Sequence, residues 1–444
     1  MLLLTTAIYF SLHLVAAQYL SPSFANFTGD NRKEIDLGYT KIRGTRVASS
    51  SFPINAWLGV RYGKAPTGNG RFKAAAQIDE ESDSSTSVFN ATTFGPICYQ
   101  GWTPSAPDKS EDCLLLDIYA PAEPTSKSIP VLLIIHGGGY DQGGSTSINP
   151  VGIMAAAPGQ FMVVSIQYRL GAFGFLAGAE VAESGTLNVG LLDQRLAMQW
   201  VQRHISSFGG DPAQVTIDGG SAGGGSVYHQ LLWNGGEADP PYRAAIVEYP
   251  WMPNMLNTKR FNTAQQKVLA SATYAFGTFY FGPTIDGINV QGLPSKETEA
   301  EHFATVPLMT TRDGNEGFAF TPQNITTEKE YNARLIAGYP TYDSAYHGSY
   351  SSLVFSTKPI PAEDTSPNAE IGRVLQRYFT SFITTTDPNK HAMEKPNDRY
   401  VEWPQYGAAS NILYINSTVP IQIQDVDAAA RCDFLLSHSS ATAN

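Results

Sequence analysis

Apolar residues along this chain fall into two kinds of run, and their alternation predicts a parallel sheet covered by helices. Val131-Leu132-Leu133-Ile134-Ile135 is apolar at every position, as a strand buried on both faces should be, and it ends in His136-Gly137-Gly138-Gly139. Residues 161–166 read as a second buried strand. Over 191–208 the period turns helical, with Ala197, Val201, Ile205 and Phe208 on one face, and Gly209-Gly210-Asp211-Pro212 ends the helix. Val215-Thr216-Ile217 makes a short strand, followed at once by Gly219-Gly220-Ser221-Ala222-Gly223 and a helical run through Leu232. Residues 244–247 and 306–310 are further strands, and a last helix gathers Ile371, Val374, Leu375, Tyr378, Phe379 and Phe382 on one face. No repeat or low-complexity linker divides the chain. With 444 residues, 42% of them hydrophobic, it is expected to form a single α/β domain over 18–444.

The first 17 residues are set apart as an export signal: residues 2–14 are apolar, and Val15-Ala16-Ala17 offers small residues for cleavage before Gln18. That apolar run, about 13 residues, is short of the roughly 20 that span a bilayer, so no stable membrane anchor is expected. Residues 437–444 are polar and carry neither a lipid-anchor tail nor a retention signal. Secretion also fits four glycosylation sequons, at Asn26, Asn90, Asn324 and Asn416. Of three cysteines, Cys98 and Cys113 flank a polar, turn-rich stretch and are expected to pair, leaving Cys432 over; three buried thiols are the alternative. No cysteine spacing resembles a metal site, and no metal or organic cofactor is expected. The balance of 29 basic against 40 acidic residues gives a net charge of −11, which argues against a nucleic-acid or anionic-membrane partner.

Candidate chemistry centres on Gly219-x-Ser221-x-Gly223 between a strand and a helix. A turn that tight leaves no room for a Cβ at either flank, and it presents the serine hydroxyl at a helix N-terminus whose dipole favours negative charge. Gly138, Gly139 and Ala222 are positioned to offer backbone N–H groups to an oxyanion. A phosphate cradle is the other use of such a glycine loop, but no Lys-Ser/Thr pair follows and the dinucleotide signature is missing. Acid and base should follow in the order serine, acid, histidine. Glu316, in Asp313-Gly314-Asn315-Glu316-Gly317, and His347, in Tyr346-His347-Gly348, fit that order. By local pattern alone Asp313 and Asp343 remain rival acids. Tyr140 and Trp251 are either walls of an apolar substrate pocket or ordinary core aromatics.

The chain resembles the type-B carboxylesterase/lipase family, which includes cholinesterases and secreted fungal esterases. The resemblance is carried by Gly59-Val60-Arg61-Tyr62-Gly63-Lys64-Ala65-Pro66, Arg71-Phe72, Ser110-Glu111-Asp112-Cys113-Leu114 and His136-Gly137-Gly138-Gly139. It continues through Gln167-Tyr168-Arg169-Leu170-Gly171, Asn188-Val189-Gly190-Leu191-Leu192-Asp193-Gln194 and Phe208-Gly209-Gly210-Asp211-Pro212, and resumes over 281–317 and at His347-Gly348, Trp403-Pro404 and Arg431-Cys432. It implies an α/β-hydrolase fold and a small-molecule ester substrate. It further implies a Ser221–Glu316–His347 triad, oxyanion donors at Gly138, Gly139 and Ala222, and a Cys98–Cys113 disulfide.

Two features depart from the family pattern. Gly220 stands before the serine where the family usually has Glu. The 95 residues from Ser221 to Glu316, and the 31 from Glu316 to His347, are both well short of the usual intervals. A helix over 327–336 would fit the shorter interval, but 339–346 is too polar for a buried parallel strand. A core strand and helices are therefore expected to be missing there, with further loss around 265–276. Two classes of function follow: a secreted serine esterase acting through an acyl-enzyme, with an interface-active lipase as a variant, or a non-catalytic relative that binds.

Overall fold

In the computed structural model the described residues are 27–47, 52–78, 88–100, 107–253, 255, 281–313, 350–356, 358–391, 400–406, 409–415 and 420–425. The strands are β1 (Phe27–Asp36), β2 (Lys41–Val47), β3 (Ile54–Arg61), β4 (Val88–Asn90), the two-residue β5 (Ile97–Cys98) and β6 (Lys109–Ser110), and β7 (Leu115–Pro121). After them come β8 (Ile129–Ile135), β9 (Met162–Ile166), β10 (Gly210–Gly220), β11 (Ala244–Glu248) and β12 (Leu308–Thr311). The main helices are α1 (Val151–Ala156), α2 (Val189–His204), α3 (Ala222–Leu231), α4 (Ser351–Val354) and α5 (Pro367–Thr385).

A 10-stranded sheet runs in the order β1-β2-β3-β7-β9-β8-β10-β11-β12, with β4 alongside β2. From β9 to β12 every pairing is parallel, whereas β1, β2, β3, β7 and β9 pair antiparallel. Burial follows this division. β2 keeps exposed residues among its buried ones, while β9 and β11 are buried along their whole length because helices cover both faces.

Alternation along β8 feeds two cores. Val131, Leu133 and Ile135 pack with Leu191, Ala197 and Val201 of α2 and with Val227 of α3. Leu132 and Ile134 pack with Ile153 of α1 and Leu375, Phe379 and Phe382 of α5. The connection from β8 to β9 thus passes over one face and that from β9 to β10 over the other. The carboxyl ends of β8 and β10 thus lie at a switch point, where open α/β sheets form their ligand crevice.

Local chemistry explains most boundaries. α2 passes into a 3-10 turn, Ile205–Phe208, and Gly209 stops it with φ 91°, a left-handed conformation that costs glycine little. Only 215–217 looked strand-like by sequence because β10 slips register on β8 between Gly210 and Val215 before it enters the buried sheet. The strand expected from 306 begins instead at Leu308, since Pro307 has no N–H to give a ladder. Arg169, just after β9, forms a two-pronged buried ion pair with Asp193 of α2, Nε to Oδ2 and a terminal nitrogen to Oδ1 both at 2.7 Å. The helix and strand considered over 327–346, the loss around 265–276, Glu316, His347, Asp343, Cys432, Asn26, Asn324, Asn416 and the export signal all lie outside the described residues. Among the described residues no helix is long and apolar enough to cross a membrane.

Candidate active site

Ser221 sits between the end of β10 and the start of α3 with φ 58° and ψ −125°, a conformation that side-chain-bearing residues seldom adopt. Three backbone bonds hold it there. Its N–H donates to the Glu248 carbonyl at 3.1 Å, and its carbonyl accepts from Gly225 at 2.9 Å and Trp251 at 2.8 Å. The flanking glycines are dictated by space. A Cβ on Gly219 would lie 2.5 Å from the Gly223 carbonyl carbon, and one on Gly223 would lie 2.1 Å from the Ile135 oxygen. Ser221 itself is half-exposed between buried neighbours.

The glycine loop meets this turn directly. Ile135 pairs with Gly219, so both loops leave the carboxyl ends of adjacent parallel strands. A Cβ on Gly137 would stand 2.6 Å from the Gly220 oxygen and 3.1 Å from the Ser221 Cβ. Gly138 and Gly139 both have positive φ, 109° and 63°, and Gly138 is half-exposed. Ala222 is the first residue of α3, so its N–H is free of helical hydrogen bonding in the manner of any first-turn amide. Ser221 and the glycine loop therefore face each other across a narrow gap.

The surrounding titratable groups are held neutral by burial. His136 stacks on Tyr168 with ring centroids 4.4 Å apart, its Nδ1 lies 2.8 Å from the Gly137 carbonyl, and burial lowers its pKa to about 4. His229 on α3 is likewise lowered to about 4 by burial. Burial thus disfavours the charged form of both imidazoles. His302 is exposed and paired with Glu297 at 3.0 Å. The Asp141 carboxyl, in the glycine loop, is pushed up to about 8 by burial. Tyr140 is fully buried against Phe175 at 5.0 Å, which makes it a core aromatic. Trp251, 5.9 Å from Tyr140, stays half-buried and remains available as a pocket wall.

Three features escaped the sequence reading. Asp218 of β10 and Glu248 of β11 are a buried carboxyl pair just behind the Ser221 turn; burial raises both, and the Glu248 charge raises Asp218 further, whereas the hydrogen bond with Asp218 holds Glu248 down. Their signal was an acid inside an otherwise apolar strand. The second is Tyr249, whose hydroxyl stands 2.1 Å from where a Gly220 Cβ would be, so glycine at 220 is the counterpart of tyrosine at 249. The third is Gln100, whose side chain reaches the glycine loop. Cys98 and Cys113, both buried, form a disulfide beside it.

The fold and the serine turn together define an α/β-hydrolase. The carboxylesterase family profile matches residues 31–248. Carboxylesterase patB of Aspergillus clavatus is 30% identical over 386 residues, covering 68% of this chain and 69% of the relative. Carboxylesterase patB of Penicillium expansum is 35% identical over 268 residues, covering 51% of this chain; the match spans about half of that relative's length, 48%. Among solved structures, EstA of Aspergillus niger superposes with a TM-score of 0.76 at 23% identity, over 92% of this chain and 98% of its own. The chain belongs to the carboxylesterase family.

Proposed function

We propose that this chain is an exported serine hydrolase of small carboxylic esters, with Ser221 as nucleophile, His347 as base and Glu316 as the acid that orients it. One observation carries the reading: Ser221 is held at φ 58° on a helix N-terminus with Gly137, the start of the glycine loop, packed against its side chain. The Ser221 Oγ attacks the ester carbonyl carbon as its proton passes to His347, and Gly138, Gly139 and Ala222 N–H groups receive the oxyanion. The C–O bond then breaks, and the alcohol leaves with that proton. Water attacks the acyl-enzyme by the same route, releasing the acid and restoring Ser221.

The short serine-to-histidine spacing is compatible with this assignment, because both ends of the stretch that contains acid and base are tied beside the turn. Tyr249 N–H donates to the Thr311 carbonyl at 2.8 Å. The Thr311 and Tyr350 hydroxyls are hydrogen-bonded, as are those of Tyr249 and Ser351. Glu316 lies three residues beyond Asp313, and His347 three before Tyr350. Export is supported by the Cys98–Cys113 disulfide, which suits an oxidising compartment, and by an exposed Asn90 in its sequon.

The test is hydrolysis of p-nitrophenyl acetate and butyrate by the purified protein beside Ser221→Ala, with fluorophosphonate labelling of both. Hydrolysis and labelling that vanish in Ser221→Ala support the reading. Equal background rates from two folded proteins would sink it and leave the non-catalytic alternative.

A further inference from the structure

The glycine loop is fastened from outside the crevice. Gln100, 7% exposed, accepts from the Gly143 N–H through Oε1 at 2.7 Å and donates through Nε2 to the Gly143 carbonyl at 3.1 Å. The same Nε2 donates to the Cys98 carbonyl at 2.7 Å. The Gln100 amide therefore grips both backbone groups of one glycine and the residue that begins the disulfide loop. Gly143 in turn is pressed on the start of the oxyanion loop. It has φ 105°, and a Cβ there would lie 2.6 Å from both the Gly137 oxygen and His136 Nδ1. Between these contacts the loop closes on itself, with the Gly138 carbonyl accepting from Asp141 and Gln142 N–H groups, both at 3.1 Å. On its far side Ser145 N–H donates to Gln167 Oε1 at 3.3 Å.

We infer that Gln100 is a positioning residue for the oxyanion donors, coupling the Cys98–Cys113 loop to the placement of Gly138 and Gly139. The catalytic part of this inference rests on the esterase reading. Glutamine offers a donor and an acceptor on one amide at this reach; a side chain without them leaves the Gly143 N–H and carbonyl unpaired in a buried place, which loosens the turn they anchor. Oxyanion stabilisation is steeply sensitive to donor placement, so a loosened loop lowers kcat while substrate binding is little changed.

Gln100→Met keeps the volume and removes all three hydrogen bonds. It is expected to lower kcat for p-nitrophenyl butyrate by about tenfold or more with KM within about twofold. Amide hydrogen exchange over residues 136–145 should quicken, and the melting temperature should fall by a few degrees as the buried Gly143 groups lose their partners. Cys98→Ala/Cys113→Ala should quicken exchange in the same segment, and adding Gln100→Met to it should bring little further change. Wild-type kcat and wild-type exchange in Gln100→Met overturn the inference, and so do fully additive effects with the cysteine variant. If the cysteine variant does not fold, Gln100→Met alone decides the clamp. A wild-type protein without Ser221-dependent hydrolysis defeats the esterase reading and the catalytic part with it, while the exchange measurement still decides whether Gln100 holds the loop.

Discussion

The two sides of the crevice are built on different principles. The Ser221 side rests on backbone: β8 and β10 run in parallel register, Ile135 opposite Gly219, and glycines at 137, 219 and 223 lie closer to neighbouring backbone than any Cβ permits. The opposite side rests on side chains. β12 is four residues long with Leu308 47% exposed, and the chain returning at Tyr350 is tied to it by the Thr311 hydroxyl and to the turn by the Tyr249–Ser351 pair. A backbone-built wall tolerates almost no change at its contacts. A wall of hydroxyl pairs can be adjusted one group at a time, because each such bond is worth about 1 kcal/mol.

That contrast is open to direct attack. Gly223→Ala should have the largest effect, because its Cβ would meet the Ile135 oxygen at 2.1 Å and neither backbone can yield. We expect destabilisation of about 3 kcal/mol or more and loss of fluorophosphonate labelling, read by thermal melting and by gel. Tyr350→Phe, which removes the hydroxyl paired with Thr311, should cost only about 1 kcal/mol and slow ester hydrolysis several-fold. Damage equal to that of Gly223→Ala would break the contrast.

Acidity gives a smaller and differently signed effect. Burial raises the carboxyls of Asp117 to about 6 and Asp141 to about 8, so they hold protons in the fold that the unfolded chain has released from about pH 4 upward. Their contribution is complete below pH 4 and is lost as pH rises, by about 6 for Asp117 and about 8 for Asp141. His136 and His229, lowered to about 4, act oppositely: their contribution is present above about 6.5 and is lost as pH falls through 4. Between pH 6.5 and 8 the histidine contribution is already complete while that of Asp141 is still being lost, so the melting temperature should decline over that window. Asp141→Asn should flatten the decline between 6.5 and 8, and an unchanged slope would show that Asp141 is ionised in the fold. Smallest of all, Asn90→Gln lies on the exposed face of β4, remote from both walls. It should remove one glycan by mass and shift stability by less than about 0.5 kcal/mol.

The sequence alone determined the parts whose information is local. Continuous apolar runs gave β8, β9 and β11, helical spacing gave α2 and α5, and glycine punctuation gave the strand–turn–helix around Ser221, since burial on two faces, a 3.6-residue period and a forbidden Cβ are each visible within a few residues. What depends on which segments meet was decided only in three dimensions. The antiparallel wing of β1, β2, β3 and β7 alternates too weakly to read, Pro307 delayed β12, and Tyr140 proved to be core while Trp251 stayed half-buried. Gln100 and Gly143 are 43 residues apart, and Tyr249 and Ser351 are 102 apart. Their hydrogen bonds have no periodic trace in the chain, because a side-chain contact across such a separation depends on the sheet order and the packing of loops at its edge, and neither is written in any short stretch of residues.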